Sequence, residues 1–288
     1  MTQNVNMLKV TDAGFPEILR SIPSPPEQIY WYGQPFEEWV DRPKVAIVGS
    51  RKMSEYGRQV TCGLAGTLAA AGVVIISGLA LGTDVTAHKA ALAAGGTTVA
   101  VIATGLDYIT PRSNFYVARQ IIQTGTIISE RPPGQAIHLG LFVSRNRIIS
   151  GLADIVLIPE AGLKSGSLHT ARFALEQGKT VMAVPGNINN PGSEGCNNLI
   201  KSGAIPVTSA DDIFFALNMP LEKARLKKAF RGTPDESRII EILREGSLDQ
   251  ENLAMAAGLD GATLASTLTA LELGGHIRPA GAGNWTLA

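Results

Sequence analysis

Seven short apolar runs, largely of β-branched residues, recur along the chain at residues 45–48, 73–76, 98–102, 126–129, 155–158, 181–184 and 204–207. None alternates apolar with polar positions, so each reads as a strand covered on both faces, the pattern of parallel strands sandwiched between helices. The stretches between them have helical spacing or length. In the first, Tyr56, Val60, Leu64 and Leu68 repeat at i, i+4 and mark one helix face, and Gly72 ends that helix. Alternation of this kind specifies an α/β fold with a mostly parallel sheet and helices on both faces. A further strand-like stretch, "QIYWYG" at 28–33, forms a short N-terminal lead.

Right-handed crossovers bring the C-terminal ends of parallel strands to one edge of the sheet, where open α/β sheets bind ligands. The polar, glycine-rich segments fall at that edge: "GSR" (49–51), "SGLALGTD" (77–84), "TGLD" (104–107), "SE" (129–130), "EAGLKSGSLHTA" (160–171) and "PGN" (185–187). Six turns on one rim predict a long groove or a deep pocket. The first follows a strand, as a dinucleotide fingerprint does, but places Ser50 and Arg51 where the fingerprint needs glycines to close on a pyrophosphate. Gly49, Ser50 and Arg51 offer backbone N–H groups, a hydroxyl and a planar fork suited to two phosphate oxygens, and Lys52 follows. Ser165, Gly166 and Ser167, next to Lys164, repeat the device at a second helix start, although a serine N-cap alone would also explain the serines.

Arg145, Asn146 and Arg147 form a local positive patch, with no carboxylate between Glu130 and Asp154. An ordinary solvated face would also account for these arginines. Phe142 is either core filler or a platform on which a base stacks. Asn197, Asn198 and Lys201 are suited to touching phosphate or sugar, or to capping a helix. Asp84 and His88 stand at i, i+4 and read as a cap and a hydrogen-bonded structural residue, and His169 has the same status. No metal site, catalytic elbow or nucleotide-triphosphate loop is present in the sequence, and no cofactor is expected.

Composition sets limits on partners. The chain has 288 residues, 45% hydrophobic and 17% charged, enough for one large core and a small satellite domain. Its longest apolar runs are strand-length, and "MTQNVNMLKV" lacks the basic start and apolar block of a signal peptide, so a cytoplasmic protein with no membrane partner is expected. Cys62 and Cys196 are far apart and read as packing residues. Residues 1–217 hold 17 basic and 16 acidic side chains, 218–234 hold 5 and 1, and 235–288 hold 3 and 8. A polyanion would therefore be met by a few placed cations and backbone groups rather than by a general basic field.

Residues 218–234 read as a basic linker. Beyond it, three helical stretches carry Leu253, Ala257, Leu264, Leu268 and Leu271 on apolar faces, and "HIRPAGAGNWTLA" closes as a hairpin around Gly281 and Gly283. Three helices and a hairpin make a winged helix. Its third helix, residues 260–273, has no Lys, Arg, Asn or Gln, so protein contact is favoured over major-groove reading.

In order and spacing, "VAIVGSR", "ISGLALGTD", "TGLD", "RNRIISGL", "EAGLKSGSLHTA", "VPGN", "SEGCNNLI" and the winged-helix tail resemble the DprA/Smf family of DNA-processing proteins of bacterial transformation. The resemblance runs from about Phe15 to the end. It implies an extended Rossmann domain over 1–217 that binds single-stranded DNA, forms a homodimer and loads the RecA recombinase, with a winged-helix domain over 235–288. Carried over by position, Gly49, Ser50 and Arg51 resemble the family's phosphate-gripping turn, Arg145, Asn146 and Arg147 its basic helix start, and Ser165, Gly166 and Ser167 its second anion turn. Many members carry a helical SAM-like domain in front, and its function is expected to be missing here. Relatives often read Phe-Pro where this chain has Phe142 and Val143.

A second resemblance, to lysine-decarboxylase-like phosphoribohydrolases, would make the chain an enzyme cleaving nucleoside monophosphates. The matching stretch "PEAGLKSGSLHTA" lacks the paired glycines of that family's motif, and the third residue after Ser167 is Thr170 rather than glutamate. A non-enzymatic binding protein is the expectation.

Overall fold

The computed structural model describes residues 5–136, 140–220, 232–244, 246, 248–281 and 283–287. The chain divides into two compact units, residues 1–227 and 228–288. Residues 221–231 of the expected basic linker lie outside the described residues.

In the first unit the strands are β1 (Asn6–Lys9), β2 (Gln28–Gly33), β3 (Lys44–Ile47), β4 (Val74–Ser77), β5 (Thr98–Ile102), β6 (Thr126–Ser129), β7 (Ile155–Ile158), β8 (Thr180–Ala183) and β9 (Ile205–Pro206). The helices are α1 (Glu17–Arg20), α2 (Glu55–Ala70), α3 (Thr83–Ala93), α4 (Phe115–Thr124), α5 (Gly140–Ser144), α6 (Asn146–Leu152), α7 (Ser167–Glu176), α8 (Glu194–Lys201) and α9 (Ala210–Ala216). Three predicted strands keep their bounds and three shift by one residue. The seventh shrinks to two residues, because an exposed edge has a partner on one side only.

The sheet order is β1-β2-β6-β5-β4-β3-β7-β8-β9. From β3 to β9 all pairings are parallel, whereas β2 runs antiparallel to β6 and β1 antiparallel to β2. Strand β3 pairs with β4 on one side and β7 on the other, so the chain winds outward from β3 and then returns to its other flank. That reversal is the topological switch point, and it opens a crevice at the C-terminal ends of β3 and β7.

Alternate strand residues feed opposite faces. Ala46, Val74, Ile76, Val156 and Ile158 pack with Ile148, Ile149 and Leu152 of α6 and Ala171 and Ala174 of α7. Val45, Ile47, Ile75, Ile155 and Leu157 pack with Leu64, Ala65 and Leu68 of α2 and Ala87 and Ala91 of α3. Each fully buried Val, Ile or Leu contributes about 1.5–3 kcal/mol relative to exposure, so a strand covered on both faces is held strongly without alternation. The mostly parallel, doubly covered α/β sheet is therefore present. Helix α2 starts at Ser54, whose hydroxyl accepts from Gly57 N at 3.1 Å, and the chain turns out of it at Gly72 with φ +90°. Cys196 lies in the core against Ile158 O, and burial pushes its thiol up to about 12.

The second unit holds α10 (Pro234–Arg244), β10 (Leu248–Asp249), α11 (Gln250–Ala257), α12 (Gly261–Leu273), β11 (Ile277–Gly281) and β12 (Asn284–Leu287). The strands order as β10-β12-β11, and Ile239, Leu243, Leu253, Ala257, Leu264, Leu268, Leu271 and Ile277 form its core. Three helices and a hairpin make the expected winged helix. Part of its acidity is helix capping: Asp249 and Asp260 each accept two first-turn N–H bonds at 3.0 Å, which hold both carboxyls below their usual range. Among the described residues no helix is long and apolar enough to cross a membrane.

Candidate nucleic-acid interface

A cleft of about 560 Å³ occupies the switch-point crevice. The turn after β3 supplies Gly49, Ser50, Arg51 and Lys52 to its lining, and the turn after β7 with the start of α7 supplies Gly162, Lys164, Ser165, Gly166, Ser167 and Thr170. Phe142, Val143, Arg145 and Asn146, from α5 and the start of α6, line it with Ala80 and Asp84 beyond β4. Eleven of the fifteen residues considered from sequence for phosphate, sugar or base contact thus meet in one place, and Arg147, Asn197, Asn198 and Lys201 are the other four.

The turn after β3 is built differently from the sequence expectation. Its backbone is tied into the fold: Ser50 N donates to Glu160 O at 2.8 Å, and Ser50 O accepts from Thr83 N at 3.1 Å. Helix α2 begins only at Glu55, so the turn does not sit on a helix N-terminus. Gly49 is required by packing, since a Cβ there would lie 2.6 Å from Thr83 Oγ1 and 2.7 Å from Glu160 O. What this turn presents to the cleft is side chain. Arg51 and Lys52 are exposed, and the Arg51 guanidinium stands 5.9 Å from the centre of the half-buried Phe142 ring.

The backbone of the turn after β7 is also largely tied: Ser165 N donates to Gly162 O at 3.0 Å, Leu168 N to Ser165 O at 3.2 Å, His169 N to Gly166 O at 3.2 Å and Ser167 N to Ser165 Oγ at 3.4 Å, which leaves the Gly166 N–H without a partner among the described residues. Helix α7 begins at Ser167, with Gly166 before it and Lys164 exposed alongside. The Ser165 and Ser167 hydroxyls lie 2.8 Å apart. Gly166 has φ −63° and ψ −20°, and a Cβ on it would meet nothing within 4 Å. Neither backbone strain nor packing therefore calls for glycine there, in contrast to Gly49. A bare backbone there lets an anion approach the free Gly166 N–H closely.

The expected basic patch at 145–147 divides. Arg145 is 6% exposed and lies beneath the cleft. Its Nη1 donates to Gly78 O at 2.8 Å and to Val101 O, and its Nε donates to Asn146 Oδ1 at 3.2 Å, so it ties the ends of β4 and β5 to α6. Burial pushes it down to about 10, opposed by the carboxylate of Asp84. Arg147 is neutralised by a 2.5 Å ion pair with Glu130, each side chain mostly covered. Asn198 is exposed on α8 and does not line the cleft. Nor do the turns at 104–107, 129–130 and 185–187, so the expected six-turn groove contracts to a cleft built mainly on the turns after β3, β4 and β7.

Asp84 does not fill the expected cap position, which Gly82 holds at the start of α3. Asp84 Oδ2 instead accepts from Gly78 N at 3.1 Å and Ala80 N at 3.3 Å, closing the loop after β4. Burial raises its carboxyl, with Arg145 and those N–H groups pulling it back. His88 is buried, as a structural residue should be. Thr98 Oγ1 gives its proton to Ile75 O, so His88 Nδ1–H donates to Thr98 Oγ1 at 2.7 Å, and burial with the Arg145 charge pushes the imidazole down to about 3. Thr170 was missed in the sequence; its position three residues after Ser167 on a helix was the available signal. Glu160 is also buried and accepts from Ser54 N at 2.9 Å and from the Ser54 hydroxyl. Among the described residues no cluster of His, Cys, Asp or Glu could hold a metal ion.

The cleft thus presents Arg51, Lys52, Arg145 and Lys164 against the single carboxylate of Asp84, with an aromatic face and the unpartnered N–H of Gly166. That combination suits a phosphate with an attached planar group.

Comparison with known proteins places this arrangement. The family model for DNA recombination-mediator protein A matches residues 6–218, and that for the DprA winged helix domain matches 223–283. The chain is 49% identical over 179 residues to protein Smf of Escherichia coli, covering 62% of this chain and 48% of that protein. It is 40% identical over 212 residues to DNA processing protein DprA of Bacillus subtilis, covering 74% and 71%. It spans about half the length of the Escherichia coli protein and of protein Smf of Synechocystis, 48% and 54%. The crystal structure of DNA processing protein A from Streptococcus pneumoniae aligns with a TM-score of 0.70 at 39% identity over 74% of each chain. DNA processing protein A from Helicobacter pylori, described for its single-stranded DNA binding mode, aligns at 0.68 and 34% identity over 75% of this chain and 97% of its own. With both units matched in sequence, the chain belongs to the DNA recombination-mediator protein A family, the DprA/Smf family whose motifs it carries.

Proposed function

We propose that this chain binds single-stranded DNA in the switch-point cleft, protects it, and loads the RecA recombinase onto it during natural transformation and recombination. The observation that carries the binding is the convergence of Arg51, Lys52, Lys164 and the unpartnered Gly166 N–H around the Phe142 ring. A phosphate is met by cations and N–H donors, and the adjoining unstacked base has an aromatic face, which a paired base in a duplex cannot reach. The Helicobacter pylori relative's single-stranded DNA binding mode supports the same ligand.

The protein acts as a binder rather than an enzyme. The acid that a phosphoribohydrolase reading would use, Glu160, is committed to Ser54 at the start of α2 and does not line the cleft. Self-association is supported by the sheet edge, where Ile205 of β9 is 43% exposed and Phe215 of α9 is 81% exposed. A homodimer with RecA as partner in the cytoplasm completes the reading.

Fluorescence titration of oligo-dT against the matching duplex at two salt concentrations tests it. Single strands should bind more tightly, with log K falling at about 0.7 per phosphate neutralised, and Arg51→Ala should weaken binding to all sequences alike. Equal affinity for duplex, or an unaffected Arg51→Ala, overturns the proposal.

A further inference from the structure

The cleft holds more positive charge than one internal phosphate needs. At about 560 Å³ it has the size of a small-molecule pocket, room for a nucleotide unit rather than a run of them. Asp84 is the one acidic residue among its lining side chains, and its oxygen is occupied by Gly78 N and Ala80 N. Arg51, Lys52 and Lys164 are exposed to the cleft, and none forms a salt bridge among the described residues. Four cations against one carboxylate leave an excess of three positive charges around a space for one phosphate.

Extending the proposed function, and resting on its assignment of this cleft to nucleic acid, we propose that the cleft prefers a phosphate monoester to an internal phosphodiester. The monoester is the dianionic group found at a phosphorylated strand end or on a free nucleotide. A diester in the cleft carries one negative charge and has two of its oxygens blocked by carbon. A monoester carries a charge of about −1.5 to −2 at pH 7 and offers three terminal oxygens. At equal distance the Coulomb gain grows in proportion to that charge. The donors that must replace its hydration are already in place: the Arg51 fork, two lysines, the paired Ser165 and Ser167 hydroxyls, and the unpartnered N–H of Gly166.

The test uses the intact chain and short oligo-dT in three forms: unphosphorylated, 5′-phosphorylated and 3′-phosphorylated. Free dTMP and inorganic phosphate serve as competitors. At about pH 7.5 an end-phosphorylated strand should bind about tenfold more tightly than the unphosphorylated one, and the gap should narrow at about pH 5.5, where most of the monoester takes up a proton. The ionisable groups facing the ligand are Arg51, Lys52, Asp84, Arg145 and Lys164, with His169 exposed on the first turn of α7. They act on all three oligonucleotides alike, so the difference between oligonucleotides isolates the monoester. Lys164→Gln, an exposed change, should narrow the gap at pH 7.5.

Preference for one phosphorylated end identifies a strand terminus as the source, and competition by dTMP at matching concentration identifies a free nucleotide. Equal affinity of all three oligonucleotides, with no competition by dTMP or phosphate, overturns this inference and leaves single-strand binding standing. Failure of every oligonucleotide to bind overturns the proposed function, and dTMP binding would then stand alone as support for the monoester site.

Discussion

Replacing Gly166 by alanine separates folding from binding in one atom. At φ −63° and ψ −20° the residue occupies right-handed backbone open to any L-amino acid, and the added methyl meets no atom within 4 Å. Stability should hold or rise by about 0.4–1 kcal/mol, because alanine restricts the unfolded chain. The same methyl sits in the cleft lining beside the residue's own unpartnered N–H, to which a phosphate oxygen would have to come within about 3 Å. Loss of one charge-assisted hydrogen bond costs about 1.5–3 kcal/mol, so affinity for oligo-dT should fall by about tenfold to a hundredfold. Thermal denaturation and fluorescence titration on the same preparation read both quantities. An unchanged affinity would refute the backbone approach at Gly166, and a lowered melting midpoint would refute the reading of open space. Gly49→Ala serves as contrast and should destabilise, since its Cβ runs into Thr83 and Glu160 O.

Other expectations concern the floor of the cleft and the sheet edge. Arg145→Ala leaves Gly78 O and Val101 O without their donor and Asp84 buried without its neighbouring cation, which should cost about 3–5 kcal/mol. Arg51→Ala should cost little stability, so equal urea midpoints for the two variants would count against a structural Arg145. His88 sits near 3 in the folded protein against an ordinary 6.5, so between those values the unfolded chain binds the extra proton. Its contribution is intact above about pH 6.5 and is lost as pH falls through the window, at up to about 1.4 kcal/mol per unit. The acid limb of stability against pH should therefore be shallower in His88→Gln than in wild type, and identical slopes would exclude the effect. Phe215→Asp should convert a dimer into a monomer by light scattering, and a surviving dimer would move the interface elsewhere.

Much of the frame was legible because strand and helix follow from local pattern. Residues 98–102, 126–129 and 155–158 are apolar on both faces, and a chain with such runs can satisfy them only inside a doubly covered sheet. The cleft's membership was legible for a related reason. Parallel crossovers deliver every strand end to one rim, so the turns after β3 and β7 had to share an edge. Arg51 and Lys164 could be picked out on those grounds alone.

The sequence by itself determined the element types, the common rim and the two turns rich in anion-binding groups, all consequences of spacing within a few residues. Tertiary structure decided which strands are neighbours and which cations are free. Only the pairing of β3 with β7 brings Ser50 against Glu160, and only the packing of α6 on β3 and β4 sinks Arg145 onto two carbonyl oxygens. Arg147 looked equivalent in sequence, yet Glu130 neutralises it from 17 positions away. Exposure and charge balance depend on groups remote along the chain, and no local periodicity encodes them.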